Sequence, residues 1–489
     1  MHPAIAASFS GALPSEVLLE KALQFPAGFL WGAATSAYQI EGSPVADGAG
    51  QSIWDRFAHT PGKTRDGMTG EVACDHYHRW REDIGQMRAL GLPAYRFSVA
   101  WGRVFPGGAG RANDAGLGFY DRLVDGLLEA GITPMLTLFH WDLPQALEDK
   151  GGWRHADMPR WFADYAGFLY ERFGSRVPLW CTINEPWVVV DAGYVHGVNA
   201  PGVRDWHQAT RVAHGLLRAH AAAVRRFREA RVKQARIGLV VNLAPHHPAS
   251  FSPADVAAAA RGHAYFNEQF LDPVFFGRYP ALVREMYGEA WPSHPDAEMR
   301  ELTEPFDFLG INWYTGYDVR DDPSKGPQRC AEVPVTSEPR MTTGWEVRPE
   351  LLVETLTWVT ERYGRIPIYV TENGAAFADP ATAPTGGVVD PLRVDYLRRH
   401  IAALREALRK GVDLRGYFVW SLMDNYEWAS GYFHRMGLLH VNYATQQRTL
   451  KASAEFYREV IRTNGASVPE GLAAAGRSSP ERRAQGDLT

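Results

Sequence analysis

Eight short apolar runs, each followed by a longer stretch of helical periodicity, limit what this chain can become. The runs are GFLWGAAT, AYRFSVAW, TPMLTLFHW, LWCTINEP, RIGLVVNLAP, FDFLGINWY, IPIYVTENG and YFVWSLMDN. They are nearly continuous in apolar residues instead of alternating, which is the pattern of strands buried on both faces of a parallel sheet. Between them, apolar residues recur at helical spacing. Tyr120, Leu123, Val124, Leu127 and Leu128 are closed by Gly131, and Phe162, Tyr165, Ala166, Leu169 and Phe173 are closed by Gly174. Eight such β/α units predict an α/β chain folded as a single (β/α)8 TIM barrel, in preference to a doubly wound sheet. The 489 residues exceed the roughly 250 of a plain barrel, so long βα-loop insertions are expected at 41–75, 187–210, 315–345 and 374–390. The barrel domain is assigned to 25–464, after an N-terminal extension at 1–24. From residue 465 to 489 the composition turns to Ala, Gly, Ser, Pro and charge, the signature of a disordered tail.

Charge and cysteine usage exclude several functions. There are 51 Lys plus Arg against 56 Asp plus Glu, for a formal charge of -5, and no basic block that would track a phosphate backbone, so nucleic acid is not an expected partner. Cys74, Cys181 and Cys330 are scattered and odd in number, which fits packing residues in a reducing compartment. Pro14, Glu16, Glu20 and Lys21 interrupt the N-terminal segment, and no apolar run reaches the roughly 18 residues of a membrane span. A soluble, cytoplasmic protein without a membrane partner is expected. The pairs His76/His78 and His246/His247 have metal-like spacing but lack a completing carboxylate or cysteine, so no metal and no cofactor are expected.

The polar residues that interrupt the apolar pattern gather where the runs end: Gln39, Arg96, His140, Trp141, Asn184, Glu185, Asn312, Tyr314, Glu372, Trp420 and Glu427. In a (β/α)8 barrel the C-terminal ends of the strands carry the active site. The fourth run ends on Glu185 and the seventh on Glu372. Two carboxylates brought across a barrel mouth among aromatic side chains and amides are what glycosidic bond cleavage requires: an acid for the leaving oxygen and an anion for the anomeric carbon. Several of the 16 tryptophans also end strand runs, where an indole can stack on a flat, partly apolar ligand.

The stretches FLWGAATSAYQIEG, YRFSVAW, LFHWDLPQALEDKGGW, TINEP, YVTENG and VWSLMDNYEWASGY together resemble glycoside hydrolase family 1, the β-glucosidase family, from about Phe25 to about Ile461. A lone NEP or ENG is weak; six motifs in order are specific. The resemblance implies that Glu372 is the nucleophile and Glu185 the acid/base. It implies that Asn184, Arg96, Asn312 and Tyr314 support the nucleophile and the transition state. It also implies that Gln39, His140, Trp141, Trp345, Trp420, Glu427 and Trp428 bind the sugar and its aglycone. The partner is then a small β-glucoside or oligosaccharide, hydrolysed from its non-reducing end with retention. An anionic Glu427 would repel a 6-phosphate. Oligomeric state has no sequence signal.

Two departures from the family pattern bear on specificity: Met436 where an aromatic residue is usual, and Asn442 in VNY where aspartate is common. A flexible thioether in the sugar pocket would suit a broader β-glycosidase acting on β-galactosides and β-fucosides as well. A carbohydrate-binding protein without catalysis is the rival from another class, although both glutamates are retained. Taken singly, each residue also has a bland use. Arg96 could be a counterion inside the barrel, and His140 a core histidine.

Overall fold

The computed structural model describes residues 24–471 except 335 and 337. The extension at 1–24 therefore falls outside the described residues except for its last position, as does the tail beyond 471.

Eight parallel strands close into a barrel. They are β1 (Leu30–Ala34), β2 (Ala94–Ser98), β3 (Thr133–Phe139), β4 (Leu179–Asn184), β5 (Arg236–Asn242), β6 (Phe308–Asn312), β7 (Ile368–Asn373) and β8 (Leu414–Trp420). Each pairs with its neighbours in sequence, and β8 closes on β1 from Leu30 opposite Gly416 to Ala34 opposite Trp420. All eight apolar runs form barrel strands. β2 shows why no alternation was seen: every residue from Ala94 to Ser98 is buried, one face toward the barrel interior and the other under helices.

Eight helices cover the outside, one after each strand: α1 (His76–Ala89), α2 (Asp114–Glu129), α3 (Met158–Phe173), α4 (Trp206–Glu229), α5 (Gln269–Phe276), α6 (Pro349–Tyr363), α7 (Pro391–Arg409) and α8 (Ala452–Arg462). In α2 the stripe of Leu117, Tyr120, Leu123, Val124 and Leu127 is buried, and Gly131 ends the turn at φ 75°. Leu128, counted with that stripe from its spacing, lies at the margin and is 40% exposed. In α3 the predicted stripe is buried throughout, and Gly174 caps the helix.

The expected insertions all decorate the mouth side of the fold. Residues 41–75 carry the short helix Ile53–Ala58, whose Ser52 and Asp55 form a reciprocal capping box. After β4 the chain runs through Pro186–Val190 and a π-helical turn at Asp191–Val195. Segment 315–345 supplies Tyr317–Asp321 and Cys330–Glu332, which make a small sheet with His246–Pro248. The chain past residue 464 is packed at first: Val468 is buried, and Arg405 donates to the carbonyls of Gly465 and Val468.

Candidate active site

The site is built on strand ends, and register decides which side chains meet. Asn242 on β5 pairs with Asn312 on β6, and Asn312 pairs with Glu372 on β7, so an amide, an amide and a carboxylate lie abreast. Asn184 closes β4, and Glu185 follows it at φ 49°, in the left-handed region. Trp141, just beyond β3, and Trp428, in the loop after β8, also have positive φ, 80° and 52°. Such conformations cost about 1–3 kcal/mol each for a side chain with a Cβ. Three of them around one cavity show that packing here overrides local preference in order to aim specific side chains.

Gly374 shows a second kind of constraint. A Cβ at this position would sit 1.7 Å from the Trp420 carbonyl oxygen, so β7 can pass the end of β8 this closely only with glycine there.

Polar contacts fix the two carboxylates in different surroundings. Arg96 Nη1 donates to Glu372 Oε1 at 2.5 Å, and the Tyr314 hydroxyl donates to Glu372 Oε2 at 2.7 Å. Arg96 lies in the middle of β2, one turn of the pleat below the strand end, and its long side chain spans the difference. Its Nη2 donates to Asn184 Oδ1 at 2.5 Å. Glu185 has no guanidinium of its own; Asn312 Nδ2 donates to its Oε1 at 2.8 Å. The Thr371 hydroxyl donates to Asn312 Oδ1 at 2.7 Å, which fixes that amide with its NH2 toward Glu185 and Asn184. With Asn184 Oδ1 accepting twice, its Nδ2 donates to His140 Nε2 at 3.1 Å, so the neutral imidazole carries its proton on Nδ1.

These contacts separate the carboxylates in acidity. Burial and then the charge of Glu372 push Glu185 up to about 8. Burial also raises Glu372, but the Arg96 charge and the Tyr314 hydrogen bond oppose it, so Glu372 is the member of the pair that ionises first. His140 is held well below the usual histidine range by burial and by the Arg96 charge. Glu427 differs from the expectation of a standing anion. Burial and the nearby Glu372 charge push it up to about 8, which favours its protonated form at neutral pH.

Around the carboxylates lies a cavity of about 210 Å³. Of the predicted residues, Glu185, Glu372, His140, Trp141, Asn312, Tyr314, Trp345, Trp420, Glu427 and Trp428 line it. Gln39, Arg96 and Asn184 stand behind its wall, fully buried. Gln39 Nε2 is spent on Asn425 Oδ1, the Tyr426 carbonyl and Glu427 Oε2, and so holds Glu427 in place. Aromatic rings pack in the wall: Trp141 and Trp428 centroids are 4.6 Å apart, and Trp345 packs on Tyr314 at 5.2 Å. Met436 lines the cavity too. Asn442 does not; its Oδ1 accepts from the amides of Ala444 and Thr445 and shapes a turn.

Sequence reasoning passed over Asn242, Trp187, Phe266 and Tyr317, which also line the cavity. Asn242 is the last residue of β5, so the rule applied to the other strands would have found it. Trp187 and Tyr317 come from insertions and Phe266 from the π-helical turn Ala264–Glu268 that leads into α5, where strand periodicity carries no information.

Comparison with known proteins now decides the family. The profile of glycosyl hydrolase family 1 matches residues 21–466. The chain belongs to that family. Among its relatives are β-glucosidase A of Thermotoga maritima, 49% identical over 90% of this chain and 98% of that protein, and a 1,4-β-D-glucan glucohydrolase of Thermotoga neapolitana, 49% identical over 90% and 99%. A solved structure of the Thermotoga maritima β-glucosidase in complex with glucoimidazole superimposes with a TM-score of 0.87 at 49% identity, covering 91% of this chain and 99% of that one. Like these relatives, this family 1 chain is a glycoside hydrolase. Among the described residues no helix is long and apolar enough to cross a membrane.

Proposed function

We propose that this family 1 enzyme is a retaining, exo-acting β-glucosidase in which Glu372 is the nucleophile and Glu185 the acid/base. The observation that carries the assignment is the asymmetry of the pair: Arg96 and Tyr314 both contact Glu372, and neither contacts Glu185. A Glu372 oxygen attacks the anomeric carbon from the α face while the glycosidic C–O bond breaks. The Glu185 proton passes to the leaving oxygen. A covalent α-glycosyl ester then exists, and the negative charge that raised Glu185 is gone. With that charge gone its pKa falls, so Glu185, having given up its proton, stays ionised at neutral pH, takes a proton from water, and directs the hydroxyl oxygen to the β face. Two inversions give net retention, and early proton NMR spectra of the hydrolysis should show β-glucose before mutarotation. First appearance of α-glucose would refute the mechanism.

The pH dependence follows from the same contacts. Glu372 must be ionised, so activity falls as pH drops through its raised value. Glu185 must be protonated, so activity falls as pH rises through about 8. The expected kcat/KM profile is a bell whose basic limb lies near 8, and Glu185→Gln should remove that limb for substrates whose leaving group needs no acid. A basic limb unchanged in that variant would point to a different acid.

Selection against phosphorylated sugars rests on the lining, since a protonated Glu427 would not repel an anion. No Lys or Arg is among the described residues that line the cavity, so a 6-phosphate would enter a dry pocket without a counterion. A nitrophenyl β-glucoside should be cleaved at least tenfold faster than its 6-phosphate. Met436 supports a second substrate range, because a thioether adjusts where a ring would not. The β-galactoside and β-fucoside are therefore expected to be cleaved, at rates comparable to or below that of the glucoside. Preference for the phosphorylated sugar would overturn this part of the reading.

A further inference from the structure

The two histidine pairs noted in the sequence do not build a metal site. His76 is spent on Asp83 at 2.7 Å, and His247 on Glu354 at 2.8 Å. A different cluster forms on the outer wall of the barrel from residues far apart in the chain. His214 on α4, His294 in the connection between α5 and β6, and Glu298 on the short helix Asp296–Glu301 each present a ligand atom within 4.8 Å of the other two. The imidazoles of His214 and His294 stack with centroids 3.7 Å apart and planes at 22°. Glu298 Oε2 lies 3.1 Å from His214 Nε2. Nε2 of His294 is buried and has no hydrogen-bond partner among the described residues, and a cleft of about 150 Å³ opens beside both rings.

We propose that His214, His294 and Glu298 bind a divalent transition metal of the zinc type, with water from the adjoining cleft as fourth ligand. Two imidazoles and one carboxylate are a borderline-soft donor set that suits Zn2+ and Co2+ better than Mg2+ or Ca2+. The tautomer needed is available. The Tyr279 hydroxyl lies 3.0 Å from His214 Nδ1 and accepts from it when Nε2 gives its lone pair to the metal, the outer partner that metal-bound histidines usually have.

In the stack the lone pairs of the two rings run side by side, so sharing one ion at bonds of about 2.0–2.1 Å requires His294 to turn out of the stack, which its place outside any helix and its partial exposure allow. Glu298 can follow, because it sits on a six-residue helix with its side chain 28% exposed. Cationic neighbours oppose binding: Arg154, Arg211 and Arg218 all line the cleft. Arg218 Nη1 lies 3.0 Å from Glu298 Oε1, and its charge repels a dication. It occupies the carboxylate oxygen that faces away from His214, so Oε2 stays available, and the site binds more weakly than a thiolate site would. A metal here is structural. It would cross-link α4, the helix after the strand that leads into Glu185, to the connection about 80 residues further on.

The test uses the full-length, untagged protein after chelation and dialysis, titrated with Co2+ and then Zn2+. One Co2+ per chain with the intense visible bands of a four-coordinate ion is expected, displaced by Zn2+, together with a rise of several degrees in melting temperature. His294→Ala should abolish the bands, weaken Zn2+ binding at least tenfold and remove the thermal shift, with glucoside turnover unchanged. His294 lies outside any helix and is partly exposed, so its loss spares the core. Glu298→Gln, which keeps the hydrogen bond to His214, should act the same way. Unaltered Co2+ spectra and Zn2+ affinity in both variants would mean adventitious binding elsewhere and overturn the site, as would absence of binding in the parent protein.

Discussion

Glu372→Gly is expected to lower turnover of a nitrophenyl β-glucoside by about five to six orders of magnitude, the scale seen when a covalent nucleophile is removed. Nothing near Glu372 can replace it. Tyr314 is its hydrogen-bond donor, and burial and the surrounding carboxylates hold the phenol well above its usual range. Removing the carboxylate leaves Arg96 facing an empty volume, a buried cation whose partner is missing. A small anion should therefore be drawn into the gap. Azide is expected to restore part of the activity and to attack from the α face that Glu372 occupied, so the product should be the α-glycosyl azide. Because Arg96 has lost its counterion, the variant is also expected to melt at a lower temperature, and azide should return some of that loss. Isolation of the β-glycosyl azide would reverse the two roles.

Much of this site could be read from the chain because barrel strands are nearly one-dimensional objects. Once eight runs are recognised, the residue that ends each run is placed at the mouth, and Asn184, Glu185, Asn312 and Glu372 follow. Trp313 shows the same rule working in reverse. Next to Asn312 it must point outward, and its Nε1 donates to Thr355 on α6. What periodicity conceals is reach and environment. Arg96 sits below the mouth, and only the length of its side chain brings it to Glu372. Glu427 reads as an anion from its formula, whereas burial beside another carboxylate keeps its proton on. Tyr317 enters the cavity from an insertion and Phe266 from the helical turn before α5, and the His214, His294 and Glu298 cluster joins segments about 80 residues apart. Such juxtapositions are properties of the folded packing, not of any local spacing.

Glu185→Ala is expected to produce a different defect from loss of the nucleophile, and the difference depends on the leaving group. General acid catalysis contributes about 10²- to 10⁴-fold, so an alkyl glucoside or cellobiose, whose leaving oxygen must be protonated, should lose that much in kcat/KM. A dinitrophenyl glucoside leaves as a stable anion and should form the glycosyl-enzyme almost normally, because Arg96 and Tyr314 still hold Glu372 ready to attack. Hydrolysis of that ester then lacks its base. The intermediate should accumulate, kcat should fall, and KM should fall with it, since the slow step now follows the covalent one. Azide needs no base and can occupy the space left by Glu185. It is expected to raise kcat for the activated substrate and to attack the ester from the β face, giving the β-glycosyl azide. The loss of Asn312's carboxylate partner is a modest structural cost, because its NH2 still reaches Asn184 Oδ1 at 3.0 Å. If KM stayed at the parent value for the dinitrophenyl substrate, or if the azide product matched the anomer from the Glu372 variant, Glu185 would not be the acid/base.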